Sequence, residues 1–367
     1  MAVLFCNDCE ATPSETRGSP PDLARLAQAP RPSAQGFAFT TTRDYADAYR
    51  AGAATPEQVA ERVLAAIEDS NARTPPLRAI IACQRDDVMA QARASAQRFR
   101  AGAPLSIFDG VPVAVKDELD MVPYGTTVGT RFLGKTPARE DSTVVARMRA
   151  AGALLIGKAN MHEIGISVTG LNPHHGVARN PYNPAHFTGG SSSGPASAVA
   201  AGLCPVAIGA DGGGSIRIPS SFCGLVGLKA TYGRVSEFGA APLCWSVAHI
   251  GPLAATAHDA ALMYAIIAGA DPKDSNSQHQ PPVTLDGFDQ SDLRGLTLGV
   301  YTPWFKHASP AMVAGCEKLV KQLEQMGARV RMRSRVPSRR AITSARSASA
   351  PARWRSSTRS CKRWTSS

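Results

Sequence analysis

The chain has 367 residues, 44% of them hydrophobic, which is enough to bury the core of one large domain or two smaller ones and excludes disorder throughout. A formal charge of +11 would suggest nucleic acid or an anionic surface as partner. The excess sits in one place, however: residues 331–367 hold ten Arg, one Lys and no acidic residue, while the first 330 residues carry 29 basic and 29 acidic groups.

In chain order, residues 1–36 are rich in Pro and small polar residues and read as a mobile leader without a catalytic role. Their apolar run, Ala2 to Cys6, is too short for a signal peptide. Cys6 and Cys9 form a CxxC, but no second pair or nearby His completes a zinc site, so neither a metal nor a redox cofactor is expected. The eight cysteines are scattered without the density of a disulfide scaffold, which fits a reducing, cytoplasmic compartment.

Thr55-Pro56 predicts a helix start, with Val59, Val63, Leu64 and Ile67 following at helical spacing. Strands are predicted at 77–83, 111–115, 153–156, 204–208, 296–301 and 328–330, and helices at 86–101, 142–152, 195–202, 258–268 and 310–326. Such alternation defines an α/β fold with a largely parallel central sheet flanked by helices. Ala260 to Ala270 is about half the apolar length a bilayer requires and reads as a buried helix, so no membrane span is expected.

Three segments interrupt this packing pattern. Gly110 to Asp117 (GVPVAVKD) ends an apolar strand on Lys116, where a charge is expensive; a salt bridge to the adjacent Asp117 is the plain structural explanation. Thr188 to Ala198 (TGGSSSGPASA) leads straight into a small-residue helix, and Gly189, Gly190 and Gly194 permit close backbone approach; Pro195-Ala196 excludes a phosphate-binding loop. In Gly209 to Ser221 (GADGGGSIRIPSS), three glycines before Ser215 allow backbone N–H groups to converge as an anion-binding nest, the geometry of an oxyanion hole. His162, His174, His175 and His186 lie near these loops in sequence, but no GxSxG elbow or i, i+4 ligand spacing accompanies them, so packing roles are expected.

Together these segments resemble the amidase signature family, with Lys116, Ser191 and Ser215 separated by 75 and 24 positions as in that family. GKANMHEIG at 157–165, RNPYNP at 179–184 and FCGLVGLKATYGRVS at 222–236 extend the resemblance over roughly residues 40–330. It implies a serine hydrolase of carboxamides: Ser215 as nucleophile, Ser191 as a bridging serine after a cis peptide bond, and Lys116 as terminal base. Backbone N–H groups of Gly212, Gly213, Gly214 and Ser215 would form the oxyanion hole, with Asp211, Arg217, Ser192 and Gly190 in support. The partner implied is a small-molecule amide without cofactor or metal, and a homodimer stays open; nucleic acid is not expected. Ala210-Asp211-Gly212 replaces the Thr and Asp-Thr of the tRNA-linked glutamine amidases and favours a general or fatty-amide-like member, a glutamine amidase of the tRNA-linked amidotransferase kind being the alternative.

The resemblance assigns residues 37–330 to an amidase signature domain lacking the C-terminal part of the fold. From Arg331 the chain turns to Arg and Ser without apolar periodicity, as a high-GC frame does when translated out of register; a frameshift near codon 330 is expected. The alternatives are an inactive amidase body, or such a body bearing a basic arm for RNA or a membrane surface.

Overall fold

The computed structural model describes residues 40–289 and 291–333. The leader at 1–36 with its CxxC, and all but the first three residues of the basic stretch, lie outside the described residues. Contacts divide the chain at 286/287 into two compact units.

The larger unit is built on a six-stranded mixed sheet in the order β1-β3-β2-β6-β8-β7. The strands are β1 (Ile80–Ala82), β2 (Pro112–Lys116), β3 (Leu154–Ala159), β6 (Val206–Asp211), β7 (Val226–Gly227) and β8 (His249–Ala254). The three central strands, β3, β2 and β6, run parallel, while β1, β8 and β7 join antiparallel. A two-stranded ribbon, β4 (Arg179–Asn180) with β5 (Asn183–Phe187), stands apart.

Both faces of the sheet are covered, and the period-two rule sorts its side chains. Ala114, Leu154, Ile156 and Ala207 pack with Val59, Val63 and Leu64 of α2 (Pro56–Ala72), Val88 of α3 (Arg85–Arg100) and Ala198 and Val199 of α5 (Ser193–Ala200). Their neighbours Val113, Val115, Leu155, Val206 and Ile208 meet Val144, Val145 and Met148 of α4 (Thr143–Ala150) and Leu262, Met263 and Ile266 of α7 (Ala257–Ile267) on the opposite face. The helix expected at 258–268 is therefore a buried core helix, and among the described residues no helix is long and apolar enough to cross a membrane.

Local chemistry fixes the helix starts. Thr55 caps α2 in a reciprocal capping box with Gln58, with Pro56 in the first turn. Thr41 and Asp44 do the same for α1 (Thr42–Arg50). Thr256 caps α7 by accepting the Asp259 N–H, and the buried Asp259 carboxylate in turn accepts the Thr42 N–H at 2.9 Å, tying α1 to α7. A sixth helix, α6 (Arg217–Phe222), follows β6.

The smaller unit contains a parallel pair, β9 (Thr297–Tyr301) and β10 (Arg329–Arg333), joined through α8 (Thr302–Phe305) and α9 (Pro310–Gln325). β10 includes Arg331 to Arg333, so the regular structure runs three residues into the stretch assigned to the basic tail.

Candidate active site

Parallel strands β2 and β6 are neighbours in register, with Val113 opposite Val206 and Val115 opposite Ile208, so their C-terminal ends open at the same edge of the sheet. In open α/β sheets ligands bind beyond the carboxyl ends of the strands. Lys116 closes β2 with the parity of Ala114, on the face covered by α5, and Ser191 lies immediately before α5. The Lys116 ammonium, with its residue 1% exposed, meets the Ser191 hydroxyl oxygen at 2.8 Å.

The loop bearing Ser191 is clamped as its glycines require. The Gly190–Ser191 peptide is cis. A Cβ at Gly190 would lie 2.5 Å from the Gly170 nitrogen, and one at Gly194 2.2 Å from that of Asn160. Ser192 fastens the loop to β6 by donating to the Ala210 carbonyl at 3.2 Å. The Ser192 N–H donates to the Ser215 carbonyl at 3.2 Å, which brings the two serine loops together. Among the described residues no hydrogen bond joins the Ser191 and Ser215 hydroxyls, although both line the same cleft with Lys116.

Asp211, at the end of β6, organises the glycine turn. Its buried carboxylate accepts the Gly214, Ile216 and Arg217 N–H groups at 2.8, 3.1 and 3.2 Å and the Arg217 guanidinium through two bonds of 2.9 Å, with Lys229 at 3.4 Å. Burial opposes its ionisation, but the hydrogen bonds from Arg217 and Ile216 prevail and hold the carboxyl well below the usual carboxylate range. Asp211 and Arg217 are thus a clamp.

The clamp bears on the nest expected of Gly212, Gly213, Gly214 and Ser215, because the Gly214 N–H donates to Asp211. The glycines also differ in what they permit. Gly214 has φ 134° and an added Cβ would meet Ile218 at 2.6 Å, whereas at Gly213 a Cβ would meet nothing within 4 Å. Only Gly214 is demanded by the backbone; Gly213 keeps the cleft open.

Asp117 is not the partner of Lys116. Asp117, in the turn that follows β2, faces the other buried lysine, Lys158, at 3.5 Å, and accepts from Thr127 and the Gly129 N–H. Burial pulls the Lys158 ammonium below the ordinary lysine range against the opposing charge of Asp117. Lys116 is instead paired with Glu118, whose Oε2 lies 3.0 Å from its Nζ, and it also donates to the Ala210 carbonyl at 3.3 Å.

The four histidines near the glycine loops do not line the cleft. His174 pairs with Glu163 at 2.7 Å, while His162 and His175 lie near Thr169 and Thr127. A fifth, His249 on β8, does line it, buried and 3.0 Å from Glu237. The sequence pattern predicts no strand there, so nothing marks the residue. Among the described residues no group of three or more His, Cys, Asp or Glu is arranged to hold a metal ion.

The cleft measures about 680 Å³. Beyond the polar floor of Lys116, Ser191 and Ser215 its walls are largely apolar: Ile166 and Val168 on one loop, and Phe238, Leu243, Trp245 and Val247 on the segment between β7 and β8.

A buried lysine–serine pair thus stands at the carboxyl edge of an α/β sheet, beside a second serine on a glycine turn. The family model described as Amidase matches residues 61–358, and the chain belongs to that family. The match extends across part of the basic stretch read as out of register. A fatty acid amide hydrolase of Oryza sativa subsp. indica is 45% identical over 293 residues, 78% of this chain and 48% of the relative. One component of the glutamyl-tRNA(Gln) amidotransferase of Thermosynechococcus vestitus is 39% identical over 255 residues, 69% of this chain and 53% of the relative. Among solved structures, the native peptide amidase from Stenotrophomonas maltophilia aligns with a TM-score of 0.76 at 32% identity, covering 83% of this chain and 64% of the other. The chain spans about half the length of the curated relatives it matches.

Proposed function

We propose that this chain hydrolyses carboxamides through an acyl-enzyme, with Ser215 as nucleophile, Ser191 as bridge and Lys116 as base. The observation that carries this reading is the 2.8 Å contact of a buried lysine with Ser191 on the cleft floor that Ser215 shares. A serine hydroxyl attacks a carbonyl only when a neighbour accepts its proton, and a lysine accepts one only when neutral. The Ser215 proton would pass through the Ser191 hydroxyl to Lys116 as the Ser215 Oγ–acyl bond forms. It would return by the same route to the departing amine as the C–N bond breaks, and water, deprotonated along the same relay, would then release the acid. Backbone N–H groups of Gly212, Gly213 and Ser215 are the candidates to hold the oxyanion.

The apolar walls, together with the similarity to plant fatty acid amide hydrolases, support an amide with an apolar acyl group over free glutamine, whose polar side chain would gain little from Phe238, Leu243 and Trp245. The five described free cysteines support a reducing compartment such as the cytoplasm.

A fluorophosphonate probe and a panel of long-chain and short-chain amides test the reading on the full chain. Labelling at Ser215 and preferential turnover of the apolar amides are expected. Ser215→Ala should lower turnover by on the order of 10⁴-fold or more; substantial residual activity in that variant would remove Ser215 from the role.

A further inference from the structure

A general base that must be neutral to work sits 3.0 Å from a carboxylate. Glu118 is fixed there by its backbone. Its carbonyl accepts the Ala241 N–H at 2.8 Å, Leu119 N–H closes a turn onto the Lys116 carbonyl at 3.1 Å, and Leu119 forms a bridge with Ala240. Its side chain is 13% exposed and lines the cleft. Gly165 closes over the pair: with φ 72°, a Cβ there would lie 3.5 Å from Ser191 Oγ and 3.6 Å from Glu118 Oε2.

We propose that Glu118 is the positioning residue of the relay lysine, holding Lys116 Nζ in line with Ser191 and setting the pH above which the relay operates. The assignment rests on the amidase reading above. Three acceptors surround Lys116 Nζ, namely Ser191 Oγ, the Ala210 carbonyl and Glu118 Oε2, and only the last carries charge. The other charged groups around the site are otherwise engaged. Just after β2, Asp117 is taken by Lys158 of β3; at the end of β6, Asp211 is taken by Arg217 and Lys229. On β8 and the segment before it, His249 and Glu237 pair with each other, and Lys273 reaches Glu140. Asp274, the remaining charged residue of the lining, accepts the Glu237 N–H at 2.8 Å. Glu118 is therefore the acidic group that contacts the relay lysine directly.

An opposite charge at this distance stabilises an ammonium, so the carboxylate aligns the amine at the cost of holding its proton to higher pH. Glu118→Gln keeps a hydrogen-bond acceptor at nearly the same position and removes the charge. In the full chain, the acid limb of kcat/KM against pH should move to lower pH by about 1 to 3 units in Glu118→Gln, with KM little changed. Glu118→Asp, which restores the charge on a shorter arm, should return the limb towards its original position with a lower plateau. A merely structural role would lower the plateau and leave the limb where it was.

A second readout does not require turnover. In protein labelled with ¹³C at the lysine ε-carbon, the Lys116 resonance, assigned by its loss in Lys116→Met, should titrate at lower pH in Glu118→Gln than in the unsubstituted chain. Coincident titrations would overturn the proposal whether or not the chain is active. A displaced titration without amide turnover or probe labelling would instead sink the amidase reading and leave the role of Glu118 towards Lys116 standing.

Discussion

At the scale of single residues, Asp211 is the most constrained group of the site, since one carboxylate holds three backbone N–H groups and a guanidinium. Replacing it with Asn leaves Arg217 without its counter-charge beside a buried amide and should cost about 3 kcal/mol. The sign of the pH dependence follows from the depressed ionisation of Asp211 in the fold. Its contribution is fully present above the carboxyl range of the unfolded chain, about pH 3.9, and is lost as pH falls through the lower folded value. Urea unfolding should show the Asp211→Asn deficit at pH 7 and a shrinking gap below about pH 4. A deficit that widened on acidification would contradict the clamp.

The glycines offer a second residue-scale contrast. Gly214→Ala forces a Cβ against Ile218 at a backbone angle other residues rarely adopt and should destabilise the fold by about 1 to 3 kcal/mol. Gly213→Ala meets open space, so its melting temperature should stay near that of the unsubstituted chain while kcat/KM falls because the methyl enters the cleft. Equal loss of stability in both would show that the turn needs glycine for its backbone throughout.

At the scale of elements, six helices were legible, mainly from their apolar spacing, while α1, despite its own capping box, and the short α6 and α8 were not. Thr55-Pro56-Glu57-Gln58 contains the whole capping device of α2, and Thr55→Ala should lower stability by about 1 kcal/mol with little effect on catalysis, as denaturant titration and turnover can check. The central strands were legible as short apolar runs, buried on both faces. β8 was not: Gly251-Pro252 reads as loop punctuation, yet Pro252 sits in the strand with its carbonyl accepting the Leu228 N–H. Missing β8 also meant missing His249. The site residues themselves were largely readable, because a lysine ending a buried strand and glycines before a serine violate packing expectations. What escaped was pairing. Adjacency in sequence favoured Asp117 for Lys116, while the turn that follows β2, closed by Leu119 N–H on the Lys116 carbonyl, brings Glu118 to that place.

For the molecule as a whole, the candidate site lies entirely within the larger unit, between Lys116 and Asn276. Cys244 gives a chemical handle on it. It is exposed and lines the cleft, whereas burial pushes the Cys204 and Cys223 thiols up to about 12. A bulky maleimide should slow probe labelling of Ser215 in the unsubstituted chain and have little effect in Cys244→Ser. Equal slowing in both would move the thiol's influence away from the cleft.

The apolar wall of that cleft has a further consequence. Phe238, Leu243, Trp245 and Val247 all belong to the connection between β7 and β8, which contributes none of Lys116, Ser191 or Ser215. The wall and the three residues of the proposed relay therefore lie on separate stretches of chain around one sheet. The same connection also carries Ala240 and Ala241, which fix the backbone at Glu118 and Leu119, and Lys229, which reaches Asp211, so under the proposed function only its wall residues Leu243, Trp245 and Val247 can be exchanged without disturbing the supports of Lys116 and the glycine turn.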